Sequence, residues 1–231
     1  MNTAIHPQVH TTRSVDGIAA LLAKHVNIPT NISELSFQYQ HAKPFPHLVI
    51  DGLFPETLLE PLLEEVQGMG HSQWLQIEQE GLERVSRMRS GVELETGGTR
   101  LANIMHSPAF LYLISELTGI WQLIPDPYMQ GGGHAVMHRG DYFSIHSDRS
   151  VAYETGLTRR LAMIVFLNKS WQSGYGGQLE LWNHDGITPE VSIEPLFNRT
   201  VIFEVAHPNY HGVPAPLSSP SDRKRQSFLV Y

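Results

Sequence analysis

The chain has no cysteine. That absence excludes a disulfide framework, thiolate zinc sites, iron-sulfur clusters and a cysteine nucleophile, so any metal must be held by histidines and carboxylates. Positive charge is also short: 16 Lys and Arg stand against 23 Asp and Glu, a formal net charge of -7. No overall positive field exists to hold phosphate backbones, and no nucleic-acid partner is expected. The one basic cluster, Arg223-Lys224-Arg225, is too short for a binding tail, and its first two members read as a solvated strand edge. Long apolar runs are missing too. Nothing approaches the roughly eighteen residues of a membrane span, and the N-terminus lacks the basic, apolar and small-residue succession of a secretory signal. A cytoplasmic protein without a membrane partner is therefore expected.

What is present is an ordinary globular composition, 41% hydrophobic and 17% charged, with no low-complexity tract, internal repeat or Pro- or Ser-rich linker to divide it. Barrels and sandwiches of 231 residues are commonly one unit, so a single domain over 1–231 is expected. Helical spacing runs over Val15–Val26, from Pro55 through Val66, and over Pro108–Leu117 with Ser107 as cap and Gly119 as stop. A strand is expected in Pro44–Gly52. These make up an N-terminal part, 1–127, of helices and supporting strands. From about Tyr128 the pattern becomes short β-type runs at 134–137, 142–146, 161–167, 178–182, 191–196, 200–205 and 227–231, separated by glycine and Asx turns. No helical crossover fits between them, which argues for a barrel or two-sheet jelly roll over 128–231.

Thirteen histidines leave ample material for a metal site, though abundance alone shows nothing. His146 and Asp148 stand two apart at the end of an apolar strand, so their side chains share one face and can share one ion. Two imidazoles and one carboxylate on one face of an octahedron leave three positions open on iron(II). His211, after the strand at 200–205 and its turn, is the candidate third ligand, its bland alternative being a loop histidine. Further on, Arg225 alternates with Ser227 on the last strand. A guanidinium buried inside a barrel needs a carboxylate partner, and a dicarboxylate keto acid supplies one.

With these residues in place, the chain resembles the prolyl 4-hydroxylase-like 2-oxoglutarate and iron(II) dioxygenases. Their barrel carries His-x-Asp, a distant His and a later Arg. Also in that family's style are Pro125-Asp126-Pro127-Tyr128, Arg159-Arg160-Leu161 leading to Phe166-Leu167-Asn168, Trp171, the run from Gly176 to Trp182, Pro195 to Arg199 and His211-Gly212. The resemblance implies a double-stranded β-helix core, mainly β with supporting α, under an N-terminal helical layer. It implies His146, Asp148 and His211 as iron(II) ligands, Arg225 as the anchor of the 2-oxoglutarate far carboxylate and Ser227 as its helper. Succinate and CO2 would be released as an aliphatic C–H is hydroxylated by O2, with ascorbate as a stimulant. Related halogenases carry Gly or Ala in the place of Asp148, so hydroxylation is the expected outcome.

The chain departs from the pattern at Phe166, where many relatives have a tyrosine whose hydroxyl binds the keto acid. His138 or Asn168 would have to compensate. It also stops at Tyr231, within a strand that relatives extend, so a short final barrel edge is expected. The alternative reading is a catalytically inactive jelly-roll sensor or binding module that holds the metal and 2-oxoglutarate without turnover; succinate formation separates the two. For substrate, an amino-acid-like small molecule or a prolyl residue is expected, with Arg149, Arg139 and His134 as candidates to pair with its carboxylate. Trp182, Tyr142 and Phe143 read as packing.

Overall fold

A computed structural model describes residues 17, 20, 22–88, 94 and 96–231. The helix expected over Val15–Val26 lies largely outside them, but Leu22 and Val26 at its end are buried. Among the described residues are four α-helices, α1 (Ile32–His41), α2 (Glu56–Gly68), α3 (Thr96–Met105) and α4 (Pro108–Thr118). The strands are β1 (His47–Asp51), β2 (Trp74–Gln79), β3 (Glu83–Met88), β4 (Gly133–Met137), β5 (Tyr142–His146), β6 (Leu161–Phe166), β7 (Leu179–Trp182), β8 (Pro189–Ile193), β9 (Arg199–Glu204), β10 (His211–Val213) and β11 (Arg225–Val230). No helix among the described residues is long and apolar enough to cross a membrane.

All eleven strands join one sheet in the order β1-β9-β6-β11-β4-β3-β5-β10-β7-β8, with β2 paired to β3 off that path. Every pairing is antiparallel. The sheet is the curled jelly roll expected from the short-strand pattern. The last strand is not the short edge that its position suggested: β11 is interior, bonded to β4 on one side and β6 on the other.

Side-chain alternation along the strands divides the core in two. On β6 and β9, Met163, Val165 and Ile202 face outward against Leu59, Leu62, Leu101, Phe110 and Leu117 of the helices. Their neighbours Ala162, Phe166, Val201 and Phe203 face inward and meet Leu179, Leu181 and Ile193 of the opposite wall. The strand β11 follows the same rule, with Phe228 and Val230 against the helices and Arg225, Ser227 and Leu229 inside. Helix and barrel are tied by Asn198, whose side chain donates to the Phe54 carbonyl (2.6 Å) and accepts from the Phe54 amide (3.3 Å).

The end signals of α4 are as the sequence indicates: the Ser107 hydroxyl accepts from the Phe110 amide, and Gly119 closes the helix at φ 75. Other elements escape sequence reading. Helix α3 opens Thr96-Gly97-Gly98, a poor helix-forming run. It is stabilised from outside, because the buried Glu65 carboxylate of α2 accepts the Gly98 amide at 2.6 Å. A Cβ at Gly98 would lie 2.9 Å from that carboxylate, so glycine permits the close approach.

Candidate active site

The two imidazoles of the site are neighbours because their strands are. In the β10–β5 ladder His211 is paired directly with His146, and the ring centroids stand 4.5 Å apart. Gly212 makes this closeness possible. A Cβ there would lie 2.7 Å from the Phe143 carbonyl and 2.8 Å from that of Ser144, and the register shifts between His211 and Val213. Asp148, just past β5, completes the group, with Oδ1 3.5 Å from His146 Nε2 and Oδ2 3.6 Å from His211 Nε2.

The hydrogen bonds of the rings decide what the group can hold. His146 Nδ1 lies 2.8 Å from the Ser144 carbonyl and His211 Nδ1 3.2 Å from that of Asn209. A carbonyl only accepts, so both Nδ1 atoms carry the proton and both Nε2 atoms present bare lone pairs to the Asp148 carboxylate. Burial drives the His211 pKa down to about 4 despite the opposing pull of Asp148, keeping the ring neutral near pH 7. Burial works against the Asp148 charge as well, but His146, His211 and Arg87 outweigh it and hold the pKa at about 2. Three donor atoms of one metal-binding type, mutually within 4.8 Å, repel one another unless a cation lies between them. His146, Asp148 and His211 thus fit a divalent metal.

The cavity beside them has a volume of about 90 Å³. Arg225 and Ser227 line it together with Arg87, Met137, Phe143 and Tyr231. Arg225 is only 6% exposed. Its Nε donates to the Gly177 carbonyl at 2.7 Å, and its guanidinium lies 4.9 Å from the centre of the Phe166 ring. A Cβ at Gly177, whose φ is +78, would come within 3.0 Å of the Arg225 side chain, so the Gly176-Gly177 turn is shaped around this arginine. Among the described residues no carboxylate pairs with it, and burial alone depresses its pKa to about 10.

The remaining candidates from the sequence are not brought to the cavity. Asn168 is fully engaged in the framework, donating to the Pro195 and Gln226 carbonyls and accepting the Gln226 amide. His138 sits half-exposed in the β4–β5 turn, 3.5 Å from Asp141. Arg139 in that turn points to the Ser218 and Ser219 carbonyls. Arg149, although adjacent to Asp148, turns to the ring and hydroxyl of Tyr153. His134 faces the helical layer, 3.6 Å from Glu65 and edge-on to Phe228. The hydroxyl missing at Phe166 has a different neighbour from those expected: Ser227 is the direct ladder partner of Phe166 and lines the cavity.

Two cavity residues escaped the sequence reading. Tyr231 continues the alternation of Arg225, Ser227 and Leu229, a signal that could have found it. Its hydroxyl is turned to Asp148, and burial followed by that carboxylate pushes the phenol pKa up. The Arg159 guanidinium lies 4.0 Å from its ring centre, and Tyr231 also borders an outer groove of about 330 Å³. Arg87 comes from β3, and no sequence signal marked that strand.

Residues 132–231 match the family described as the 2OG-Fe(II) oxygenase superfamily. A prolyl-4-hydroxylase from Pseudomonas putida superimposes with a TM-score of 0.54 at 18% identity, covering 94% of this chain and 96% of that one. A prolyl hydroxylase from Trichoplax adhaerens, in complex with a fragment of the hypoxia inducible factor oxygen degradation domain, gives 0.56 at 17%, with 96% and 94% covered. HygX from Streptomyces hygroscopicus, with nickel and 2-oxoglutarate bound, gives 0.53 at 12%, with 80% and 81% covered. At these identities the solved structures share the fold, and the matched family coincides with the stretch that contains the histidine–aspartate group and Arg225. The C-terminal part of the chain, residues 132–231, is thus similar to the 2OG-Fe(II) oxygenase superfamily.

Proposed function

We propose that His146, Asp148 and His211 bind iron(II), that Arg225 and Ser227 grip the far carboxylate of 2-oxoglutarate, and that the protein hydroxylates an aliphatic C–H of an amino-acid-like molecule or prolyl residue. One observation carries this reading. A buried arginine that pairs with no carboxylate among the described residues shares a cavity with two imidazoles and a carboxylate whose ligand atoms all lie within 4.8 Å of one another.

Iron(II), when bound, supplies the dioxygen chemistry, in which 2-oxoglutarate loses CO2 to become succinate, one oxygen atom entering succinate and the other the substrate C–H bond. The chain provides placement. The Ser144 and Asn209 carbonyls lock the two imidazoles in the ligating tautomer. Gly177 holds the Arg225 fork toward the cavity, where it can meet a carboxylate through two parallel hydrogen bonds. Phe166, Leu179 and Phe203 keep that end dry, which strengthens the ion pair and shields a reactive centre from water.

The test is succinate release by anaerobically reconstituted protein exposed to oxygen with 2-oxoglutarate, a pool of amino acids and proline-containing peptides. Succinate coupled to one pool member gaining one oxygen atom supports the reading. Asp148→Ala should lower coupled turnover at least about a hundred-fold and weaken metal retention. Undiminished turnover in that variant refutes the ligand assignment.

A further inference from the structure

The catalytic cavity holds a second arginine that the oxygenase reading leaves without a task. Arg87 lines it from β3. Its guanidinium lies 4.8 Å above the Phe143 ring, and that ring lies 3.9 Å from the His146 ring. The cation is thus two aromatic steps from the metal position. Its ion pair is with Glu83, 3.8 Å away and off the cavity wall, and within the cavity its charge also acts on Asp148. That distance is too long for a hydrogen bond, and Glu83 Oε2 has no hydrogen-bond partner. The five guanidinium donors make no hydrogen bond to another described residue.

The charges define what is missing. Iron(II) and Arg225 would together carry three positive charges, and Asp148 with doubly ionised 2-oxoglutarate three negative ones. The loaded cofactor set is neutral, and Arg87 is the cation left over in the cavity. A half-buried guanidinium over an aromatic ring is suited to receive a planar carboxylate in two parallel hydrogen bonds.

The geometry points to Arg87 as the specificity-determining residue of this oxygenase, anchoring the carboxylate of a small monocarboxylic substrate, of the free amino-acid class, whose oxidised carbon lies close to that carboxylate. This rests on the oxygenase reading and deepens it. Arg87 takes the part for which the sequence suggested Arg139, Arg149 and His134, none of which lines the cavity. A prolyl residue inside a peptide has no carboxylate to offer there.

The experiment uses the full chain loaded with iron(II) and 2-oxoglutarate, as wild type, Arg87→Gln and Arg87→Lys. The probes are the twenty free L-amino acids, the carboxamide of each that raises succinate release, and a prolyl peptide with blocked termini. For wild type, one amino acid should be turned over and its carboxamide used at least about thirty-fold less well by kcat/KM. In Arg87→Gln the KM for the acid should rise about thirty-fold, the KM for 2-oxoglutarate should stay within about twofold, and the preference for acid over amide should vanish. Arg87→Lys should recover part of it, because it restores the charge without the planar fork.

The proposal is overturned if the KM change falls on 2-oxoglutarate, if Arg87→Gln still prefers the acid, if the blocked peptide serves wild type and variant equally, or if no amino acid raises succinate release. Succinate formed by wild type without any added probe reports separately on the oxygenase reading. Its absence from metal-loaded protein would count against that reading, whereas its presence with no amino-acid response counts against Arg87 alone.

Discussion

Replacing Arg225 by methionine should abolish the response to 2-oxoglutarate without the loss of stability that usually follows removal of a buried side chain. The depression of the guanidinium pKa from 12.5 to about 10 corresponds to roughly 3 kcal/mol by which burial disfavours the charge. Against this stand the charged hydrogen bond to the Gly177 carbonyl, worth about 1.5–3 kcal/mol, and the contact over Phe166, worth about 0.5–2 kcal/mol. The terms nearly cancel, and methionine fills similar space. Thermal unfolding checks this. At about a hundred times Kd, 2-oxoglutarate should stabilise the wild type by ~2.7 kcal/mol, or about 5–10 °C for a chain of this size. The variant should melt within about 3 °C of the unliganded wild type and should not respond to the ligand. A variant that loses about 10 °C, or that still gains stability from 2-oxoglutarate, would show that Arg225 is a structural residue and that its burial is already compensated.

Two further outcomes follow from the same geometry. In Gly212→Ala the new methyl meets two carbonyl oxygens of β5 at under 3 Å, so unfolding free energy should fall by about 1–3 kcal/mol. The two imidazoles should also part, and metal titration should show affinity lost well beyond what a purely structural defect produces. In acid, His211 depresses stability with a definite sign. Its folded pKa of about 4 lies below the ordinary value near 6.5, so between those limits the unfolded chain binds the extra proton. The metal-free protein therefore loses up to about 3 kcal/mol through this group as pH falls from 6.5 to 4. Asp148, held at about 2, costs stability only below about pH 4. Urea midpoints of wild type and His211→Asn compared from pH 7 to 4.5 isolate the first effect, and parallel curves would refute it.

Elements whose residues settle their own structure could be read in advance. The short β-type runs of β6 and β9 and the Ser107 and Gly119 signals of α4 are local. That His146 and Asp148 come together was legible because His-x-Asp on a strand is a geometric statement, and that Arg225 and Ser227 share a face because period two places them together. The β2–β3 hairpin was not legible, since Trp-Leu-Gln-Ile-Glu-Gln and Glu-Arg-Val-Ser-Arg-Met carry too few apolar residues to show a period. Helix α3 escaped because its diglycine start depends on a carboxylate from another helix. Among the proposed carboxylate partners, closeness in sequence misled: Arg149 neighbours Asp148 along the chain yet faces Tyr153, while Arg87 reaches the cavity across the sheet.

The place of β3 between β4 and β5 has a consequence for how such an enzyme changes over time. The proposed metal ligands and the proposed 2-oxoglutarate anchor all lie within the matched residues 132–231, whereas Arg87 arrives on a hairpin encoded well before them. An exchange of residues 74–88 would keep His146, Asp148, His211 and Arg225 in the chain and replace the arginine proposed to meet the substrate. Divergence in what is oxidised can then proceed by rewriting one hairpin, provided the new one still carries the backbone amides and carbonyls that β4 and β5 require.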